Sequence, residues 1–142
     1  MDYAVVDSSV VVKWLVVEPY STEARRLLSD YQSGSLTLLA PDLLYAEIGN
    51  IIWKKHRFQG LAAADAQLII DTFRTLSFTI TPTSLLLDDA YRLAIVHQRT
   101  VYDGMYLALS IREKCRLVTA DEKFVNALAS SFPNMVWVGN WP

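Results

Sequence analysis

The sequence predicts an α/β protein with a parallel sheet that is covered by helices on both faces. Short apolar runs rich in β-branched residues alternate along the chain with segments of helical periodicity. The first run, residues 3–6, contains no polar break, which is typical of a strand buried on both faces of a parallel sheet. A chain of 142 residues has the size of one ordinary domain. We therefore predict a single α/β domain, residues 1–142, without linkers or repeats.

Turn and capping residues set the limits of the predicted elements. The residue before a proline is disfavoured in the α region, so Glu18-Pro19 ends the first helix. Ser21 suits the N-cap of the second helix, Pro41 suits the first turn of the third, and Gln59-Gly60 ends that helix. The predicted strands are 3–6, 36–40, 78–80, 116–119 and 135–138. The predicted helices are 8–16, 21–33, 41–57, 62–76, 84–97, 103–114 and 121–130.

Composition restricts the classes of protein that the chain fits. Hydrophobic residues make up 52% and charged residues 20% of the sequence, which is typical of a well-packed globular protein. No apolar run approaches the ~20 residues that span a bilayer, and the N-terminus lacks the features of a signal peptide. The single cysteine forms no internal disulfide. We therefore expect a cytoplasmic protein that makes no membrane contact.

Four acidic residues are candidates for one shared site: Asp7, Glu47, Asp103 and Asp121. Three of them are expected to follow strands, and ligands bind open α/β sheets at the carboxyl ends of the strands. Converging carboxylates repel one another unless cations are bound. All-oxygen ligation suits Mg²⁺ or Mn²⁺ better than zinc. These acids therefore predict a divalent-metal site, and such a site activates water and stabilises the charges of phosphodiester hydrolysis.

Three of these acids also have a structural interpretation. Asp7 and Asp103 suit the N-caps of the helices that follow them, and a capping carboxylate keeps lone pairs for a metal. Asp121 suits the first turn of a helix, where Thr119 and Glu122 match a capping box. Each acid alone is weak evidence, and it is their joint placement that predicts a site.

Glu47 gives the more specific signal. On the predicted helix it shares a face with Leu44 and Ile51, and an unpaired buried charge is strongly destabilising. Glu47 therefore needs a cation, an arginine partner or a raised pKa. A salt bridge to Lys54 or to a distant arginine is the structural alternative.

Polar and basic neighbours complete the candidate set. Ser9 is expected to orient Asp7, and Asn50 to support the site through a water. The net charge of −2 does not indicate nucleic-acid binding. Without the four acids, however, eleven acidic residues stand against thirteen basic ones, which permits a phosphate-backbone substrate. The candidate phosphate contacts are Lys13, Lys54, Lys55 and Arg57.

Other chemistries find little support in the sequence. His56 and His97 lie at helix ends, where they complement the helix dipole. Cys115 lies beside a strand and is interpreted as a core thiol. Trp14 and Trp53 are expected in the core by default, and if exposed they would anchor a protein partner.

Four segments carry a resemblance to a known family. The segments are Val6-Asp7-Ser8-Ser9, Tyr45-Ala46-Glu47-Ile48, Tyr102-Asp103-Gly104-Met105-Tyr106-Leu107-Ala108 and Leu117-Val118-Thr119-Ala120-Asp121-Glu122-Lys123-Phe124. In this order they resemble the PIN-domain nucleases, and most closely the stand-alone VapC-type toxins of bacterial and archaeal toxin–antitoxin pairs. The segments span almost the whole chain, and the last two are the most specific.

The resemblance implies a three-layer α/β/α sandwich and an endoribonuclease that depends on Mg²⁺ or Mn²⁺. It implies that the four acids form the catalytic and metal-binding set, with Ser9 and Thr119 in support. It also implies an RNA substrate, a homodimer and a cognate antitoxin that blocks the site.

A silent scaffold and two other acidic-pocket α/β proteins are the alternatives to this family. A catalytically silent PIN-like scaffold would bind RNA or protein, but the complete acidic set argues against it. An aspartyl-phosphate phosphatase needs a second aspartate two residues after the first, where this chain has Ser9. A response-regulator receiver needs a lysine after a late strand, where this chain has Thr119-Ala120-Asp121.

Overall fold

The structure is a computed structural model that describes residues 2–142. It contains five strands and seven α-helices in that part of the chain. The strands are β1 (Asp2–Val6), β2 (Leu36–Pro41), β3 (Thr79–Thr81), β4 (Arg116–Thr119) and β5 (Met135–Trp137). The helices are α1 (Ser8–Leu15), α2 (Ser21–Gln32), α3 (Leu43–Gln59), α4 (Ala63–Arg74), α5 (Leu87–His97), α6 (Val101–Glu113) and α7 (Glu122–Leu128). Single turns of 3-10 helix occupy Thr83–Leu85 and Val138–Asn140.

The five strands form one parallel sheet in the order β3-β2-β1-β4-β5. In the centre, Val5 of β1 pairs with Leu39 of β2, and Val6 pairs with Val118 of β4. β2 and β3 follow one another on one side of β1, and β4 and β5 follow one another on its other side. The strand order therefore reverses between β1 and β4, and such a switch point opens a crevice at the carboxyl ends of the strands.

Helices cover both faces of the sheet, because neighbouring residues of a strand point to opposite faces. Ala4 and Val6 lie in a buried cluster with α1, α2, α3 and α4. Val5 lies in a second buried cluster with α5, α6 and α7. The predicted α/β class and the three-layer α/β/α sandwich are thus confirmed. No helix within residues 2–142 is long and apolar enough to cross a bilayer.

Two residues do not have the roles that were predicted for them at the starts of α2 and α3. Pro41 is the last residue of β2, where it pairs with Thr81 instead of opening α3. Ser21 is not the N-cap of α2, because Tyr20 takes that position with a left-handed φ of +66°. The Ser21 hydroxyl instead accepts a hydrogen bond from the backbone N–H of Glu18, at 2.9 Å. The predicted break after α3 is confirmed, and Gly60 ends that helix with a φ of +77°.

Candidate active site

Asp7 lies directly after β1 and is only 8% exposed. It is the N-cap of α1, as predicted, and its Oδ1 accepts hydrogen bonds from the backbone N–H groups of Ser9 and Val10 at 3.1 and 3.4 Å. The Ser9 hydroxyl donates to the same oxygen, at 2.5 Å. A carboxylate has about four lone-pair sites, so Asp7 keeps acceptor capacity on Oδ2 for a ligand.

Ser9 joins the loop after β1 to the loop after β4. Its hydroxyl accepts a hydrogen bond from the N–H of Ala120 at 2.9 Å and lies 3.4 Å from the hydroxyl of Thr119. Thr119 is fully buried, and its Oγ1 accepts from the N–H of Asp121 at 3.1 Å. Ser9 and Thr119, two of the three predicted supporting residues, therefore connect Asp7 with Asp121.

Glu47 lies on α3 and is tied to α6 by a partner that sequence reasoning missed. The hydroxyl of Tyr106 donates a hydrogen bond to Oε1 of Glu47, at 2.5 Å. None of the ion pairs within residues 2–142 involves Glu47, so the alternative of a salt bridge to Lys54 is wrong. Tyr106 follows Asp103 by three residues, and this same-face spacing was the available signal. Asn50 is exposed one helical turn from Glu47, and its supporting role stays a prediction.

Asp103 lies in the first turn of α6, which follows α5 rather than a strand. It is not the N-cap, because α6 begins two residues earlier than predicted. Thr100 takes the cap, and its hydroxyl oxygen accepts from the N–H of Asp103 at 3.1 Å. The carboxylate of Asp103 therefore has no capping role, and its charge acts on Asp7 and Glu47.

Asp121 is the N-cap of α7, and its Oδ1 accepts from the N–H of Phe124 at 3.2 Å. The predicted capping box of Thr119 and Glu122 is therefore wrong. Thr119 ends β4 two residues before the cap position, and its hydroxyl is used by Ser9 and by the N–H of Asp121 instead.

Arg99 forms ion pairs with two of the four acids, and sequence reasoning did not predict this. Its Nη2 lies 3.0 Å from Oδ2 of Asp103 and 3.4 Å from Oδ2 of Asp121. Its Nε donates to the same oxygen of Asp103, at 3.1 Å. The Arg99 Cζ lies 4.8 Å from the ring centroid of Phe124. The spacing of four residues between Arg99 and Asp103 was a weak signal for this pair.

Burial raises the pKa of three of the four carboxyls. It raises the pKa of Asp7 from 3.8 to about 6, although the hydrogen bond from Ser9 works in the opposite direction. Burial likewise raises the pKa of Glu47 and of Asp103. The charge of Asp103 adds to the rise at Asp7 and Glu47, and Asp121 adds to the rise at Asp103. The four acids are therefore electrostatically coupled, with Asp103 at the centre.

The donor set fits a hard divalent cation, although no ready-made ligand cluster is present. Within residues 2–142, no group of three or more His, Cys, Asp or Glu side chains is arranged so that it would hold a metal ion. The charge of Asp103 nevertheless raises the pKa of Asp7 and of Glu47, and the charge of Asp121 raises the pKa of Asp103. Carboxylate oxygens are the ligands that Mg²⁺ and Mn²⁺ prefer. Metal ligation by these four acids stays a prediction.

The predicted phosphate contacts fall into two groups. Lys13 is buried, and both Lys13 and Lys55 pair with Glu18, at 3.2 and 3.3 Å. Their ammonium groups are thus already engaged between α1 and α3. Lys54 and Arg57 are exposed, and their contact with phosphate stays a prediction.

The two tryptophans differ in environment. Trp14 is buried, as expected, and donates a 2.7 Å hydrogen bond to the carbonyl of Ala24. Trp53 is 52% exposed, so its default assignment to the core is wrong, and it packs edge-on against Phe58, also exposed. Burial raises the pKa of the Cys115 thiol, which fits an unreactive side chain packed against the core.

Comparisons with known proteins give the family. The PIN-domain family model matches residues 4–127. Ribonuclease VapC3 of Pyrobaculum aerophilum is 33% identical over 137 residues, which cover 93% of this chain and 96% of that protein. The crystal structure of PAE2754 from Pyrobaculum aerophilum has a TM-score of 0.68 at 22% identity, and the match covers 97% of this chain and 92% of that one. A toxin–antitoxin complex from Klebsiella pneumoniae has a TM-score of 0.62 at 16% identity, with coverage of 94% and 95%. The chain therefore belongs to the PIN-domain family.

Proposed function

We propose that this chain is a Mg²⁺- or Mn²⁺-dependent endoribonuclease and the toxin of a toxin–antitoxin pair. The observation that carries the hydrolytic activity is the coupled acidic edge, where Asp7, Glu47 and Asp103 have raised pKa values beside Asp121. The substrate class is supported by the relative VapC3, which is named a ribonuclease.

The residues at this edge have distinct roles in the proposed reaction. The four acids would hold the divalent cation, which supplies a water of lowered pKa and stabilises charge on the phosphodiester. Ser9 fixes Asp7 relative to the loop after β4 through its hydrogen bonds to Asp7 and to Ala120. Tyr106 fixes one oxygen of Glu47 and leaves the other for ligation. The four carboxylates that would bind the metal thus come from four separate helices or helix caps.

Cleavage of total cellular RNA by the purified protein tests this function. The reaction is run with Mn²⁺, with Mg²⁺ and with a chelator, beside the variants Asp7→Asn, Asp103→Asn and Asp88→Asn. We expect discrete fragments that require metal, Asp7 and Asp103, whereas Asp88→Asn on the exposed face of α5 retains cleavage. Cleavage that survives both Asp7→Asn and Asp103→Asn would contradict the proposed site.

A catalytically silent scaffold is the alternative, and one observation favours it. Arg99 already neutralises part of the charge of Asp103 and Asp121 without any metal. Titration of the protein with Mn²⁺ separates the two functions, because a silent scaffold has no need to bind metal. Absence of Mn²⁺ binding at millimolar metal, together with absence of RNA cleavage, would favour the scaffold.

We infer that the antitoxin contacts the exposed aromatic surface of α3. Trp53 and Phe58 are 52% and 68% exposed and pack edge-on at a centroid distance of 5.9 Å. Large exposed aromatic side chains are typical anchors of protein interfaces. The similar Klebsiella pneumoniae structure is a complex of a toxin with its antitoxin, which supports a protein partner for this chain.

We infer that the chain forms a homodimer through α5, which covers the face of the sheet opposite to α3. Leu87, Tyr91 and Ile95 recur every four residues along α5, so they form one stripe on the helix surface. These side chains are 51%, 57% and 64% exposed. A second copy of this chain would bury this stripe against its own.

A further inference from the structure

The guanidinium of Arg99 lies where two of the four acids face each other. It bonds Oδ2 of Asp103 through both Nε and Nη2, at 3.1 and 3.0 Å, and reaches Oδ2 of Asp121 at 3.4 Å. Its side chain is only 23% exposed, and its Cζ lies 4.8 Å from the ring centroid of Phe124. Arg99 thus contacts an acid on α6, an acid that caps α7, and an aromatic ring of α7.

The backbone around Arg99 holds this side chain in place. Gln98 ends α5 in the left-handed region with a φ of +54°, and the N–H of Arg99 donates to the carbonyl of Ala94 at 3.1 Å. Thr100 then caps α6. Arg99 is therefore fixed between two helix ends, and its planar fork approaches the acids from a defined direction.

A divalent cation and this guanidinium compete for the same atoms. The proposed metal site uses the carboxylates of Asp103 and Asp121, and one oxygen of each is bonded to Arg99. Two cations at such short range repel each other. A metal ion bound through these two oxygens would therefore displace the guanidinium from at least one of them.

We propose that Arg99 is a built-in counter-ion of the acidic site, which neutralises Asp103 and Asp121 in the metal-free protein and leaves them when a divalent cation binds. This inference rests on the proposed metal-dependent function and adds a means of regulating it. Arg99 lowers the metal affinity, because part of the binding energy is used to break its two ion pairs. It also stabilises the metal-free protein, because it offsets the repulsion between carboxylates.

Isothermal titration of the purified full-length protein with Mn²⁺ tests the exchange. The variants are Arg99→Gln, which removes the charge, and Arg99→Lys, which keeps the charge but loses the planar fork. We expect Arg99→Gln to bind Mn²⁺ roughly five- to tenfold more tightly than the wild type, and Arg99→Lys to fall between them. The control is Arg92→Gln, which breaks the exposed pair with Asp89 on α5 and should leave the affinity unchanged.

Thermal unfolding gives a second readout that does not depend on activity. In chelator, Arg99→Gln should melt about 2–4 °C below the wild type, because two ion pairs are lost. At saturating Mn²⁺ this deficit should close, because the wild type has by then given up the same pairs. A deficit that persists in full at saturating metal would contradict the exchange, since Arg99 would then keep its contacts beside the ion.

The variant Asp103→Asn separates failure of this inference from failure of the proposed function. Loss of Mn²⁺ binding in Asp103→Asn, combined with unchanged affinity in Arg99→Gln, would overturn the role of Arg99 and leave the metal site intact. Mn²⁺ binding that Asp103→Asn does not weaken would overturn both, because the ion would then lie elsewhere.

Discussion

The hydroxyl of Tyr106 on α6 donates a 2.5 Å hydrogen bond to Oε1 of Glu47 on α3. These helices belong to different layers of the sandwich, so the bond crosses the carboxyl edge of the sheet. Burial and the charge of Glu47 raise the pKa of the Tyr106 hydroxyl, which therefore remains a donor. A tyrosine from the helices on one face of the sheet thus orients an acid from the helices on the other face.

Replacement of Tyr106 by phenylalanine should affect both stability and the site. Glu47 loses a donor in a partly buried position, so the free energy of unfolding should fall by about 1–3 kcal/mol. A metal ligand that loses its orienting partner typically loses affinity about 10–100-fold. Urea denaturation and Mn²⁺ titration measure the two effects, with Tyr3→Phe at the exposed start of the sheet as control. Unchanged Mn²⁺ affinity in Tyr106→Phe would show that the tyrosine does not position a ligand.

The pKa of Asp7 predicts that stability depends on pH. Burial raises this pKa from 3.8 to about 6, so the folded state binds the proton more tightly than the unfolded state. The resulting stabilisation is complete below pH 3.8 and is lost as the pH rises through about 6.

The variant Asp7→Asn isolates this effect, because asparagine also caps helices but does not titrate. In chelator, the difference in unfolding free energy between variant and wild type should move by about 2 kcal/mol in favour of the variant from pH 4 to pH 7. Denaturation at several pH values measures this difference, with the exposed Asp88→Asn as control. A difference that stays constant with pH would mean that the pKa of Asp7 is not raised.

Ser9→Ala tests the junction between the loops after β1 and β4. The hydroxyl of Ser9 donates to Asp7 and accepts from the N–H of Ala120, so its removal leaves two partly buried polar groups short of a partner. We expect a loss of about 1–3 kcal/mol in stability and a loss of about 10–100-fold in metal affinity. Ser33→Ala, in an exposed turn, should change neither. Wild-type metal affinity in Ser9→Ala would limit Ser9 to a structural role.

Two of the four candidate acids could be recognised because each follows a strand that the sequence predicts. Asp7 follows an apolar run that forms the central strand, and Asp121 follows another. The contacts of Tyr106 and Arg99 were not readable in this way. Their partners Glu47 and Asp121 lie 59 and 22 residues away in the chain, whereas periodicity reports on neighbours within one or two helical turns.

The errors at the starts of α6 and α7 have a common physical reason. Thr, Ser and Asp all make good caps, so a short polar segment offers several candidate starts of similar free energy. Thr100 caps α6 instead of Asp103, and Asp121 caps α7 instead of Thr119. At α7 a tertiary contact occupies the alternative cap, because the hydroxyl of Thr119 lies 3.4 Å from that of Ser9, which is 110 residues away in the chain.

Gly104 should tolerate no side chain, because α5 and α6 approach closely there. A Cβ at this position would lie 2.4 Å from the carbonyl oxygen of Ala90. Gly104→Ala should therefore lower the free energy of unfolding by about 1–3 kcal/mol and shift the adjacent Asp103. The matched control is Gly49→Ala in α3, where a Cβ meets nothing within 4 Å. That variant should gain about 0.5–1 kcal/mol from helix propensity, and urea denaturation compares the two.

The exposed stripe of α5 should carry the dimer contact. Ile95 is 64% exposed at the C-terminal end of this stripe. Ile95→Lys would place an ammonium in the proposed apolar interface, and a charge buried there without a partner costs about 3 kcal/mol, or roughly 100-fold in dimer affinity. Light scattering after size exclusion should give a dimer for the wild type and a monomer for this variant. Leu68→Lys, at an equally exposed position on α4, should remain dimeric. If both variants kept the wild-type mass, the dimer would have to form through another surface.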